Sequence, residues 1–261
     1  MFKGYLICSD VDGTFRNHND ITPNMEAVKF FTDNGGKFTF ATGRTAEHLK
    51  TTGYESIINA PACVCNGGIV YDYETDKVIY EKRLDFTVGE FIDVINTLTD
   101  KIIRFDINIS HMGDPPTFKS IFDVNDDMKN IKPIKLLCVF GDSKYADELK
   151  AKCINHSFFK NTYIGKSWAV GLEFNSTKGT KGEAAKYIKE YLSGIHTLIG
   201  VGDFENDIPL LKLADIGVSV ENAIDEVKKN SQLTVKACNE SGIADLINIL
   251  YKKEKGEQYE T

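Results

Sequence analysis

Gly4-Tyr-Leu-Ile-Cys-Ser-Asp10-Val-Asp-Gly-Thr14 is the stretch that sets the frame of this chain. A short, mostly apolar run over residues 4–9 is followed at once by two carboxylates and a glycine, the pattern of a buried strand with polar groups at its C-terminal end. Working outward, Thr22 to Asn34 places Ala27, Phe30 and Phe31 at helical spacing and closes on Gly35-Gly36. Lys37 to Thr42 then reads as a strand, Thr45 to Thr52 as a helix and Ala62 to Cys65 as another buried strand. Strands alternating with helices at this interval predict βαβ units and a parallel sheet.

From about Leu84 to Asn175 the rhythm changes. The strands there are longer or more alternating, helices are expected at Thr87–Thr99 and Ser143–Asn155, and an acidic, Pro-containing stretch spans Gly113 to Pro133. The α/β rhythm then resumes with a helix over Gly182–Leu192, a strand over His196–Val201, a helix near Ile208–Leu213 and a strand over Ile216–Val220. The expected organisation is one α/β domain, residues 1–83 and 176–261, interrupted by an α+β module over 84–175. The charged tail after Lys252 is expected to fray.

A chain of 261 residues can bury a proper core as one large domain or two unequal ones. A net charge of -7 argues against nucleic acid or an anionic membrane as the main partner, because those surfaces demand clustered positive charge. No run is apolar enough over sufficient length to cross a bilayer, and the N-terminus reaches Asp10 too soon for a signal peptide. The six cysteines lack metal or redox spacing; Cys8, Cys63, Cys65 and Cys138 sit in apolar runs and read as core residues. A reduced, cytoplasmic chain is expected. Nothing in the sequence sets an oligomeric state.

The chemistry is concentrated at strand ends. Residues two apart on an extended backbone point the same way, so Asp10 and Asp12 can face one pocket at the sheet edge where α/β proteins bind ligands. One carboxylate could attack phosphorus while the other protonates the leaving oxygen and later activates water. Taken alone, the pair also fits an acidic turn. A second acidic cluster, Asp203, Asn206 and Asp207, follows the strand that ends at Val201. Such carboxylates repel one another unless a hard cation such as Mg²⁺ joins them; as structural residues, Asp207 would be a helix N-cap and Asp203 a turn residue. Thr42-Gly43-Arg44 ends a further strand, offering the Thr42 hydroxyl and the amides around Gly43 to phosphoryl oxygens. Lys181-Gly182 opens a helix and would set an ammonium beside its positive end. Lys178-Gly179 competes for that role, but the pattern Ala184, Ala185, Ile188, Leu192 starts directly after Lys181.

Together, Asp10-Val-Asp-Gly-Thr14, Thr42-Gly-Arg44, Lys181-Gly182 and Gly202-Asp-Phe-Glu-Asn-Asp207 resemble, in order, the four motifs of the haloacid dehalogenase-like hydrolases. Asn66-Gly67-Gly68 and Gly217-Val-Ser-Val-Glu-Asn-Ala223 resemble those of its Cof-type phosphatases with a large α/β cap. The resemblance implies a Rossmann-like parallel-sheet core with helices on both faces, plus an inserted α+β cap domain that governs specificity. It implies that Asp10 is the nucleophile and Asp12 the general acid/base. It further implies that Thr42, Gly43, Lys181 and Asn206 hold the phosphoryl group, and that Asp10, Asp12 (through its carbonyl), Asp203 and Asp207 surround Mg²⁺. A small phosphorylated metabolite is the implied substrate, sugar phosphates before phosphorylated cofactors.

The chain departs from the Cof-type pattern at Glu221-Asn222-Ala223, where Gly-Asn-Ala is usual, and at Phe15-Arg16, where aliphatic residues are usual. Arg16 is expected to be an exposed salt-bridging residue, with a contact to substrate as the alternative. Among rivals, an EF-hand fails for want of glycine at its sixth position and for Ile21 at its twelfth. A dinucleotide fingerprint fails at Glu205, and no P-loop is present. A phosphomutase, or a non-catalytic metabolite sensor on the same fold, remains as an alternative. His111, Phe118, Lys119 and Trp168 are candidate cap contacts to substrate, with packing the favoured reading for Trp168 and Phe118.

Overall fold

Leu6, Ile7 and Cys8 have no side-chain surface exposed to water, which is why the first apolar run forms an interior strand of the sheet, β1 (Tyr5–Ser9). The computed structural model describes residues 1–17 and 20–256. Helix α1 (Thr22–Asp33) carries β1 across to β2 (Lys37–Phe40), and the short α2 (Ala46–Thr51) follows, capped by the Thr45 hydroxyl. Next come β3 (Ala62–Val64), β4 (Ile69–Asp72) and β5 (Lys77–Glu81). The inserted segment holds α3 (Val88–Leu98), β6 (Ile102–Asn108), β7 (Thr117–Phe118), α4 (Asp126–Lys129), β8 (Lys135–Phe140), α5 (Ser143–Ile154), β9 (Thr162–Trp168) and β10 (Gly171–Ser176). The chain then returns through α6 (Lys181–Tyr191), β11 (Thr197–Gly202), α7 (Ile208–Leu213), β12 (Ile216–Val220), α8 (Asp225–Lys229), β13 (Leu233–Val235) and α9 (Gly242–Glu254).

The core sheet is parallel throughout, in the order β13-β12-β11-β1-β2. The path steps one way from β1 to β2 and the other way from β11 to β13. Right-handed crossovers therefore place α1 and α7 on opposite faces; α9 packs on α1, and α6 on α7. The reversal beside β1 opens a crevice at the C-terminal strand ends, where ligands bind in such sheets.

One expectation from the sequence is corrected by the fold. The strand at Ala62–Cys65 does not join the parallel sheet as a full member. It heads an antiparallel β3-β4-β5 unit tied to the core by one parallel bridge, Ala41 to Cys63, and by the Thr42 N–H donating to the Cys63 carbonyl at 2.9 Å. Helix α9 runs two residues past Lys252, to Glu254; the end of the tail expected to fray, residues 257–261, lies outside those described.

The inserted sheet is antiparallel, in the order β7-β6-β8-β10-β9. One of its faces packs Phe105, Leu136, Cys138, Leu172 and Phe174 against Phe91, Ile95 and Leu149 of α3 and α5, forming an apolar core separate from that under the parallel sheet. The alternate residues Asp106, Asn108, Lys135, Glu173 and Asn175 are equally buried, although polar. That second face lies over the core loops, with Asn175 donating to the Cys65 carbonyl at 3.1 Å and Lys135 to the Gly43 carbonyl at 3.2 Å. A sheet buried on both faces but polar on one marks the side turned to a site.

Gly67 stands where β3 turns toward β4 against the entry to α6. Its φ is +98°, and a Cβ there would lie 2.1 Å from the Thr180 carbonyl oxygen. Gly67→Ala combines left-handed strain with overpacking against backbone, so a loss of roughly 3 kcal/mol or more is expected in urea unfolding.

Candidate active site

Three strand ends and one helix start meet at the crevice. The Asp10 N–H donates to the Val201 carbonyl at 2.9 Å and the Ala41 N–H to the Ser9 carbonyl at 2.8 Å, so the ends of β1, β2 and β11 are stitched side by side. Asp10, Thr42 and Asp203 follow directly from these strands. Helix α6, capped by the Thr180 hydroxyl, delivers Lys181 beneath them with 1% of its surface exposed. Its ammonium lies 2.6 Å from Asp10 Oδ1 and 2.6 Å from Asp207 Oδ1. Lys181, rather than Lys178, is thus the lysine at the site.

Asp207 is occupied on both oxygens: Oδ1 meets Lys181, and Oδ2 accepts the Asp203 and Phe204 N–H groups at 3.0 and 3.1 Å. It therefore pins both the lysine and the loop carrying Asp203. Asp203 Oδ1 accepts the Thr14 hydroxyl at 2.7 Å. Gly13, at φ +92°, lets that carboxylate approach; a Cβ there would sit 2.4 Å from Asp203 Oδ2. Asp10, Asp203 and Asp207 each bring a carboxylate oxygen within 4.8 Å of the others. These are hard oxygen donors crowded around one point, so the site fits a divalent cation of the Mg²⁺ type.

Electrostatics point the same way. Burial pushes the Asp10 carboxyl well above its usual range; Lys181 opposes the shift, while Asp207 and Asp203 add to it. Burial and then Asp207 raise Asp203 to about 7. Burial by itself would lower the Lys181 ammonium, but Asp10 and Asp207 reverse that and raise it, so it stays charged. One ammonium cannot balance three neighbouring carboxylates.

Above Asp10 lies a cleft of about 230 Å³. Its core wall includes Asp12, Thr42, Gly43, Arg44 and Asn206, and its other wall Lys135, Leu137, Ser167, Trp168 and Glu173. Asp12 shares the cleft with Asp10, as expected, but is not one of the three clustered carboxylates. Its side chain is held by Arg44 in a two-pronged bond of 2.8 and 2.7 Å, with Arg16 at 3.6 Å. Arg16 also donates to the Tyr54 hydroxyl at 3.1 Å, so it braces the first loop and is only part-exposed. Phe15 is fully buried against Phe40, with ring centroids 5.0 Å apart, which accommodates the unusual Phe-Arg pair. Asn206 donates to the Asn66 side-chain carbonyl at 3.2 Å.

Sequence reasoning left several site residues without a role. Arg44 positions Asp12. Asn66, in a left-handed conformation, bridges the walls: it accepts from Asn206 and donates to Glu173. Glu205 is gripped across the same gap by the Lys150 ammonium at 2.5 Å and the Lys166 N–H at 3.1 Å. Glu221 points away to Lys228 at 3.2 Å, while Asn222 donates to the Gly13 carbonyl at 2.8 Å and steadies the first loop. Of the four candidate cap contacts, only Trp168 lines the cleft. His111 stacks on Tyr71, Phe118 packs on the inserted core, and Lys119 is exposed.

A sequence model of the haloacid dehalogenase-like hydrolases matches residues 7–247, and the chain belongs to that family. A 5-amino-6-(5-phospho-D-ribitylamino)uracil phosphatase of Bacillus subtilis, YwtE, is 25% identical over 94% of this chain and 97% of its own. The structure of BT1666, a phosphatase of the same superfamily from Bacteroides thetaiotaomicron, superposes with a TM-score of 0.76 at 19% identity, covering 96% of both chains. That of the subclass IIB sugar phosphatase BT4131 gives 0.74 at 19% identity, over 96% of this chain and 98% of that one. Within the family the chain is a Cof-type phosphatase, a phosphoric monoester hydrolase. All six cysteines are buried, and among the described residues no helix is long and apolar enough to cross a membrane.

The Asp203 shift has a measurable consequence. Because its folded value of about 7 lies above its unfolded value of 3.8, the stability it contributes is complete below about pH 4 and is lost as pH rises through 7. In the presence of a chelator, Tm should fall across that window, by an effect on the order of a few kcal/mol. Added Mg²⁺ should restore Tm increasingly toward neutral pH, as differential scanning calorimetry with and without the cation would show.

Proposed function

We propose that this phosphatase is Mg²⁺-dependent and works through an aspartyl phosphate on Asp10, acting on small phosphorylated metabolites. The observation that carries this reading is the placement of Asp10: its carboxylate forms the floor of the cleft, paired on one oxygen with the buried Lys181 and flanked by Asp203. Asp10 attacks phosphorus as the ester oxygen departs. Asp12, on the cleft wall, gives that oxygen its proton and then takes one from the water that hydrolyses the acyl phosphate, which returns both carboxylates to their starting states. The two-pronged bond from Arg44 fits Asp12 as the carboxylate that takes the proton from water; as the acid, Asp12 keeps one oxygen on Arg44 and carries its proton on the other. The Thr42 hydroxyl, the amides around Gly43, the Asn206 amide and the Lys181 ammonium bind the phosphoryl oxygens.

Asp10, Asp203 and the backbone carbonyl of Asp12 would hold Mg²⁺, with Asp207 further out because both its oxygens are engaged. The ion would supply neutralisation of phosphoryl charge. The preference for small phosphate esters draws support from the size of the cleft and from the named activities of similar proteins, a ribitylaminouracil phosphatase and a sugar phosphatase.

With p-nitrophenyl phosphate and Mg²⁺, Asp10→Asn should lower phosphate release by on the order of 10³-fold or more. Intact-mass spectra of wild-type protein quenched during turnover should carry a phosphate adduct that the variant lacks. No release from wild type, or undiminished release from Asp10→Asn, would sink the proposal. Arg44→Ala should reduce kcat about 10-fold or more through loss of Asp12 positioning, with Arg44→Lys recovering only part because it cannot pair through two prongs.

A further inference from the structure

The cleft wall opposite Asp10 carries a charged pair with no evident need to be charged. Lys135 on β8 and Glu173 on β10 are 5% and 4% exposed, and their side chains meet at 3.0 Å. Replacing a buried ion pair by apolar residues of similar volume is often neutral or stabilising, so stability alone does not demand this one. Their neighbours on the apolar face of the same strands, Leu136, Leu172 and Phe174, show that these strands accept hydrophobic side chains readily.

Both residues line the cleft, and each has hydrogen-bonding capacity left over. The Lys135 ammonium spends two donors, on the Gly43 carbonyl and Glu173 Oε1. Glu173 accepts from Lys135 on one oxygen and from Asn66 on the other. An ammonium has three donors and each carboxylate oxygen two acceptor directions, so a donor and acceptors remain side by side. The Ser167 hydroxyl, in the same wall, is buried without a hydrogen-bond partner among the described residues. A hydroxyl both donates and accepts, and a vicinal diol presents two such groups at the spacing of neighbouring carbons. The cleft, at about 230 Å³, is smaller than the roughly 300–1,000 Å³ of pockets for drug-sized ligands. Trp168 offers a flat apolar surface at the rim.

We infer that Lys135 and Glu173 are the specificity residues for the leaving group, reading adjacent hydroxyls of a small polyol phosphate, with Ser167 as a further hydroxyl partner. This rests on the phosphatase reading above. Asn66 links the pair through Asn206 to the loop carrying Asp203, so recognition of the leaving group is wired to the phosphate end of the cleft.

The test compares three substrates with Mg²⁺: ribitol 5-phosphate, n-pentyl phosphate, which has the same carbon count without hydroxyls, and p-nitrophenyl phosphate. Wild type should favour ribitol 5-phosphate over n-pentyl phosphate by about 100-fold in kcat/KM, since a site built for hydroxyls rejects analogues lacking them. In Lys135→Met/Glu173→Gln, which preserves the acceptor for Asn66, the ratio should fall below about 10-fold while Tm is kept or raised. Glu173→Gln alone should move the ratio in the same direction, which covers the case of a poorly folding double variant. Hydrolysis of p-nitrophenyl phosphate with no preference for the polyol, or a preference untouched by these substitutions, overturns the inference and leaves the phosphatase reading standing. Failure of wild type on all three substrates overturns both.

Discussion

The ammonium of Lys181, buried between Asp10 and Asp207, is the interaction on which the rest of the site depends. A cation so deeply buried is tolerable only because two carboxylates meet it at 2.6 Å, and those carboxylates are tolerable only because it is there. This mutual requirement fixes where three parts of the chain must lie. It holds α6 beneath β1 and draws the loop after β11 against the same point. The remaining acidity, carried mainly by Asp203, is what makes the site receptive to a divalent cation.

Around this centre, most polar side chains perform two tasks. Asp207 anchors Lys181 and closes its own loop through two amides. Asn222 receives the Cys238 N–H at 2.7 Å while steadying the Gly13 carbonyl, so the last core loop supports the first. Arg44 leaves the second strand to hold Asp12 from the side. The proposed nucleophile is thereby set by buried ion pairing, whereas the proposed acid/base is set by a part-exposed arginine clamp. That division suits a group that must stay still beside one that must exchange protons with a ligand and water.

The two walls of the cleft meet largely through polar contacts, beside apolar ones such as His111 stacked on Tyr71 and Ile134 seated in the core cluster. Asn66 reaches Glu173, Lys135 reaches the Gly43 carbonyl, and Glu205 is held by Lys150, Lys166 and the Tyr163 hydroxyl, which donates to its carbonyl at 2.8 Å. These contacts are polar, whereas each wall has its own apolar core. Polar joints between separately packed bodies are compatible with opening and closing of a site, since parting them exposes groups that water can satisfy.

The parts legible in the sequence were those encoded locally. Asp10, Thr42 and Asp203 could be placed at strand ends because an apolar run and the polar residues that stop it are neighbours in the chain. Lys181 could be preferred over Lys178 because helical spacing begins just beyond it. The hairpin after β3 and helix α9 escaped notice, the former because its strands are short and only partly apolar. The pairings across the cleft escaped as well: Lys135 and Glu173 are 38 residues apart, and Asn66 and Glu173 are 107 apart. By itself, then, the sequence determined an α/β core, its interruption and the carboxylates and lysine at the ends of its elements, all consequences of side-chain periodicity along one segment. Only the tertiary structure decided that Arg44 holds Asp12, that Asp207 is spent on both oxygens, and that Lys135 and Glu173 face Asp10 across a cleft. Those choices follow from distance in space between segments, which periodicity along the chain does not encode.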